Sequence, residues 1–204
     1  MPYVLVLYYS RHGSVAQLAE ALAAGIESVS GIEARVRTVP EVAPGFDRHV
    51  DTIPDQGPLF CTLDDFAGAA GLALGSPGRF GNMAAALKYF LEQTTASWIN
   101  GQMVGKPATV FTSTTTPHGG QESTLLSMMN PLLHHGMLIT GVPFTEPALH
   151  TDCGGGTPYG VSHIAGEQHQ NLSAEVAKLA ASQGKRLAHY SLRLRNDHKT
   201  ITDQ

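Results

Sequence analysis

Short apolar, β-prone runs alternate with runs of helical spacing along most of the chain. This alternation constrains the fold more than any single motif. Val4-Leu5-Val6-Leu7-Tyr8-Tyr9 is continuously apolar, the pattern of a parallel strand covered on both faces. Ala69 to Ser76 (AAGLALGS), Pro107 to Thr112 (PATVFT) and Met137 to Val142 (MLITGV) read the same way. Glu33 to Val39 (EARVRTV) alternates polar with apolar, as a strand nearer a sheet edge does.

Between these runs, Val15, Leu18, Ala19, Leu22 and Ile26 recur at helical spacing from Ser14 to about Val29. A second helix is expected from Asn82 to about Thr95, with Met83, Leu87, Phe90 and Leu91 on one face. A third runs from Gln121 to His135 with Gly136 as its cap, and a fourth from Ser173 to Leu194. Pro40 to Thr62 is rich in Pro, Gly and Asp without clear period and reads as an excursion loop, and His150 to Gly160 as a Gly-rich loop.

Such alternation predicts an α/β domain, a parallel sheet with helices on both faces joined by right-handed crossovers. Five strands in 204 residues give a flavodoxin-like, five-stranded sheet of order 2-1-3-4-5. Residues 1–204 are expected to form one such domain, with a polar tail from about 195.

Composition narrows the function classes. The chain carries 13 basic and 17 acidic residues and no Lys/Arg run, which speaks against nucleic acid and polyanionic membrane surfaces. No stretch has the length of a membrane span, and the apolar start lacks a charged leader and a cleavage site. Membrane insertion is therefore not expected. Cys61 and Cys153 form no disulfide framework and no Cys-x-x-Cys knuckle, so a cytoplasmic setting is expected. In that setting no glycan is expected at the Asn171 sequon.

In an open parallel sheet, ligands bind at the carboxyl ends of the strands where strand order reverses. Three loops fall there. The first, SRHGSV, comprises Ser10, Arg11, His12, Gly13, Ser14 and Val15. It stops a strand and opens a helix, whose first N–H groups are free to meet an anion. Ser14 as a plain N-cap explains the same residues, and the loop alone leaves both readings open. Neither G-x-G-x-x-G nor G-x-x-x-x-G-K-[ST] is present, so a monophosphate fits better than a dinucleotide or a nucleoside triphosphate.

Pro77, Gly78, Arg79 and Phe80 form the second loop, where bare glycine backbone lets a flat ring approach the main chain; an ordinary turn is the alternative. Ser113, Thr114, Thr115, Thr116, Pro117, His118 and Gly119 form the third, suited to a polyol chain or to helix capping. No G-x-S-x-G elbow exists. HTDC at 150–153 and HIAGEQH at 163–169 lack H-E-x-x-H spacing, so no metal is expected. His134-His135 at a helix end fits dipole capping. With no paired carboxylates in the loops, the site is suited to a cofactor that brings its own chemistry.

Taken together, VLVLYYS…G, PGRFGNM (77–83), FLEQT (90–94), Trp98, GGQE (119–122), HHGM (134–137) and GGTPYG (155–160) resemble the WrbA family. That family comprises flavodoxin-like NAD(P)H:quinone oxidoreductases that bind FMN. The resemblance spans residues 2 to 194. It implies that Ser10 to Val15 hold the FMN phosphate and that Pro77, Gly78, Arg79 and Phe80 lie along the isoalloxazine ring. Ser113 to Gly119 would contact the ring and ribityl chain. His134 would approach from a neighbouring subunit or an adjacent helix, and Trp98 would help form the pocket for nicotinamide and quinone.

The resemblance also implies a homotetramer, with NADH or NADPH as donor and a quinone as acceptor in a ping-pong, two-electron reaction. Three positions depart from the family pattern. His12 stands where an aromatic residue, usually Tyr, is common and is associated with the pyridine nucleotide. Gly78 stands where Thr is common, and STTTPHGGQE replaces a glycine-richer loop. A one-electron flavodoxin carrier and a non-catalytic binding module are the alternatives. Carriers are usually more acidic than this chain, whose net charge is −4, and lack the Trp98 segment.

Overall fold

The computed structural model describes residues 1–42, 53–54, 56–150 and 155–195. Residues 43–52 and 55 of the 40–62 excursion, the 151–154 stretch with Asp152 and Cys153, and the polar tail beyond 195 lie outside the described residues.

Among the described residues, six parallel strands form one sheet: β1 (Tyr3–Tyr8), β2 (Glu33–Thr38), β3 (Gly71–Pro77), β4 (Pro107–Thr114), β5 (Leu138–Ile139) and β6 (Ser162–Ile164). The order is β2-β1-β3-β4-β5, as the alternation predicts, with β6 also paired to β4. β2 is an edge strand and half-buried throughout, which explains its alternating composition. The central strands are buried along nearly their whole length.

The apolar runs divide between two cores. Leu5, Leu7, Leu72, Leu74, Ala108 and Val110 face one side, while Val4, Val6, Ala73 and Phe111 face the other. Helix α1 (Ser14–Glu27) and helix α6 (Ala174–Leu194) cover the second side. They cross with backbones touching: a β-carbon on Gly25 would lie 2.0 Å from the Ala181 carbonyl oxygen, and one on Gly184 would lie 2.1 Å from that of Leu22. Side chains on helices α2 (Leu63–Ala67), α3 (Ala85–Glu92) and α5 (Gln121–His134) build the first core. Helix α4 (Thr95–Ile99) follows α3.

Several expectations are corrected. Helix α3 starts at Ala85 rather than Asn82, because Arg79 and Asn82 exchange two backbone hydrogen bonds and tie residues 79–82 into a tight hairpin. The apolar Met137–Val142 run contributes only a two-residue, partly exposed strand. Past it, the Val142 N–H donates to the Pro158 carbonyl. The fifth sheet position is therefore shared: β5 pairs the start of β4 and β6 pairs its end. The sheet thus has six strands among the described residues where five were expected.

Helix α2 was not expected either. It carries a capping box in which Thr62 and Asp65 cap each other's backbone N–H. Burial alone would raise the Asp65 carboxyl, but hydrogen bonds from Arg37 and Thr62 hold it below the usual carboxylate range. Arg35 and Arg37 thereby pin α2 to the edge strand.

Candidate functional site

At the carboxyl ends of β1, β3 and β4 the three expected loops meet around one narrow cleft of about 60 Å³. Its walls include Ser10, Arg11, His12, Ser14 and Val15 from the first loop, Pro77, Gly78 and Arg79 from the second, and Ser113, Thr114 and Thr115 from the third.

The first loop reaches α1 through Gly13, whose φ of 88° lies in the left-handed region that a side chain disfavours. No side chain caps the helix, and its first turn holds no acidic residue. The Ser14 reading as an N-cap is thus excluded, because Ser14 is the first helical residue and Gly13 is the cap. The first amide accepted within the helix belongs to Gln17, which donates to the Gly13 carbonyl. The N–H groups of Ser14, Val15 and Ala16 therefore have no acceptor inside the helix, at its positive dipole end. The Ser10 hydroxyl accepts from the Gly13 N–H at 3.2 Å and fixes the turn.

The other two loops are tied together. The Gly78 N–H donates to the Ser113 carbonyl, and the Thr112 hydroxyl donates to that of Ser76. A β-carbon on Gly78 would lie 2.8 Å from the Thr114 methyl, so glycine is what lets the loops close up. Beyond it, Phe80 has φ 52° and a fully exposed ring at the tip of the 79–82 hairpin. Strain of this kind, of order 1–3 kcal/mol, collects at functional positions. Arg11 and Arg79 also border a second cavity of about 320 Å³ beside the cleft, with Tyr9 and Glu41 on its wall. The Tyr9 hydroxyl donates to Glu41 at 2.7 Å, and burial together with that bond raises its pKa.

Two cleft residues, Ala165 and His169, were not foreseen. They follow β6, whose three residues are too short to show a period. The Ala165 and Gly166 N–H groups donate to the Thr114 and Thr115 carbonyls and carry the segment to the cleft. There the His169 ring stacks on His12, with centroids 4.3 Å apart and 19° between planes. The HIAGEQH run, considered above only for metal, supplies this residue.

Not every expected residue lines the cleft. Thr116, Pro117, His118 and Gly119 sit in the turn behind it, where the Thr116 carbonyl accepts from Thr114 and Gly119. Trp98 and His134 share a different cavity of about 440 Å³, at the far ends of α3 and α5. His134 lies 13 positions along α5 from Gln121, roughly 20 Å at 1.5 Å per residue. Next to it, burial and then the neighbouring His134 lower the pKa of His135. Its Nε2 lies 2.9 Å from the Thr94 hydroxyl, whose own proton goes to the Leu91 carbonyl. Nε2 is accordingly the donor, and Nδ1 is left buried without a partner.

Residues 2–145 match the family model described as NADPH-dependent FMN reductase. A protein of Geotalea daltonii named NAD(P)H dehydrogenase (quinone) is 40% identical, covering 94% of this chain and 97% of its own. One of the same name from Geobacter metallireducens is also 40% identical, covering 94% and 98%. Among solved structures, a flavodoxin described as WrbA-like from Agrobacterium tumefaciens superposes with a TM-score of 0.64 at 19% identity, covering 95% of this chain and 99% of that one. An apo NADH:FMN oxidoreductase superposes with a TM-score of 0.58 at 17% identity, covering 95% and 90%. At such identities these two speak for the fold alone, but the family match and the close relatives speak for kinship. The chain belongs to the NADPH-dependent FMN reductase family.

Proposed function

We propose that the protein is an FMN-dependent NAD(P)H:quinone oxidoreductase that works in the cytoplasm. The observation that carries this reading is the uncapped start of α1, aimed into a cleft that bare glycine backbone and a hydroxyl-rich loop complete. The residues fit the cofactor. Room for roughly four water-sized groups suits one phosphate, with the α1 amides and the Ser10 and Ser14 hydroxyls as donors and Arg11 and His12 alongside. Gly13 keeps that approach open, since nothing lies within 4 Å of where its β-carbon would be.

Pro77, Gly78 and Arg79 would support the flat ring, with the exposed Phe80 as a face to stack on. Ser113 to Thr115 would meet the ribityl hydroxyls, and Thr116 to Gly119 would hold that loop in shape. When bound, FMN supplies the redox chemistry, accepting hydride from NADH or NADPH and returning it to the quinone. The protein's part is to bind, to orient donor and acceptor in turn at one face, and to keep water out.

Trp98 and His134 lie too far from their own cleft to serve it. We assign them to the cleft of a neighbouring protomer in a homotetramer. The exposed Tyr89, Trp98, Ile99 and Leu133 on α3, α4 and α5 give that assembly an apolar surface. The reading is tested by initial rates of NADH or NADPH oxidation with a water-soluble quinone varied in concentration. Shared use of one face predicts parallel double-reciprocal lines. Intersecting lines, which require both substrates bound together, would contradict it.

A further inference from the structure

Beyond the cleft, a second cavity of about 370 Å³ lies between the C-terminal half of α6 and the segment after β5. This is within the size range of small-molecule sites. Lys185, Arg186, His189 and Arg193 line it from one side of α6, at helical spacing that stacks them on a common face. Val142 and Pro143 form its apolar floor. The Arg186 guanidinium lies 4.9 Å from the centre of the Tyr190 ring.

Among the described residues, neither Lys185, Arg186 nor Arg193 forms an ion pair. The Arg186 Nε is buried without a hydrogen-bond partner among the described residues, an arrangement that is costly unless an acceptor arrives. Glu146, the carboxylate drawn to this region, accepts instead from the Ser182 hydroxyl. Arg186 lies 12 positions along α6 from Ala174, roughly 18 Å down the axis of a helix that starts five residues after the cleft residue His169. The cavity is therefore separate from the proposed cofactor site.

We propose that this cavity is a second ligand site, specific for an organic phosphate of nucleoside diphosphate class. Guanidinium forks match phosphate oxygens in pairs. Two arginines and a lysine on one face suit a multiply charged head, while Val142, Pro143 and the Tyr190 ring suit a flat apolar body. The test is calorimetric titration of the FMN-loaded protein with ADP, adenosine and inorganic pyrophosphate at about 0.15 M salt.

ADP should bind, pyrophosphate at least tenfold more weakly, and adenosine not measurably. Arg186→Gln and Arg193→Gln should each weaken ADP binding about tenfold. Lys185→Gln, on the exposed helix surface, should weaken it about threefold without risk to folding. Arg79→Gln, at the cleft, should leave it unchanged. Arg186→Met should melt no lower than the parent without ADP, because it removes an unpaired buried donor. No ADP binding at millimolar concentration, equal binding by adenosine, or undiminished binding by all three α6 variants would overturn the proposal.

Discussion

Single residues carry much of the cleft's character. A threonine at Gly78 would push its β-carbon to 2.8 Å from the Thr114 methyl and 3.2 Å from the Thr124 hydroxyl oxygen. Overpacking of this kind costs about 1–3 kcal/mol. Gly78→Thr should therefore weaken FMN binding by about tenfold or more, measured by quenching of flavin fluorescence. Phe80 makes the opposite trade, holding an exposed ring on left-handed backbone. Phe80→Gly should gain about 1 kcal/mol of stability while FMN affinity falls roughly fivefold with the lost stacking surface. A denaturation curve and a flavin titration on the same sample separate the two effects.

His135 sets a pH dependence away from the cleft. Its folded pKa lies below the ordinary histidine value of 6.5, because burial penalises the imidazolium. The unfolded chain therefore binds the proton more readily, and stability falls as pH drops through and below 6.5. Melting temperatures measured from pH 7.5 down to pH 5 should decline less steeply in His135→Gln than in the parent.

Among the elements, α1 matters twice: its start faces the cleft, and its middle packs against α6 with no room for a side chain at Gly25. Gly25→Val must separate the helices and should cost about 3 kcal/mol, a fall in Tm on the order of 10 °C. What the sequence reveals at this level follows from length and period. β1 and β4 carry β-branched and aromatic residues, β3 centres on a short apolar Leu-Ala-Leu run, and α1, α5 and α6 run long enough to show a 3.6-residue rhythm. The five residues of α2 and three of β6 repeat no period, and the Met137–Val142 run is equally apolar whether or not its last residues join the ladder. The missed His169 follows from the missed β6: its loop cannot be assigned to the ligand end of a sheet until its strand is seen.

At the scale of the whole molecule, the cleft loops and the strand order that gathers them were legible, since Gly13, Gly78 and the hydroxyl cluster stand at strand-to-helix corners. Where Trp98 and His134 act was not, because one chain places them at the opposite end from its own cleft. If neighbouring protomers share them, light scattering should report a tetramer. Trp98→Ala and His134→Ala should then lower quinone turnover about tenfold or more, while the FMN fluorescence titration stays within about twofold of the parent. A fully active monomer would contradict that assembly. The proposed activity requires electrons to pass from a pyridine nucleotide to flavin held in the cleft. The most direct test is the absorption spectrum of the FMN-loaded protein, followed after anaerobic mixing with NADH or NADPH and again after adding a quinone. The oxidised-flavin band should be lost rapidly with at least one donor, leave no lasting blue semiquinone, and recover fully with quinone. Flavin that stays oxidised for minutes with both donors would contradict that activity.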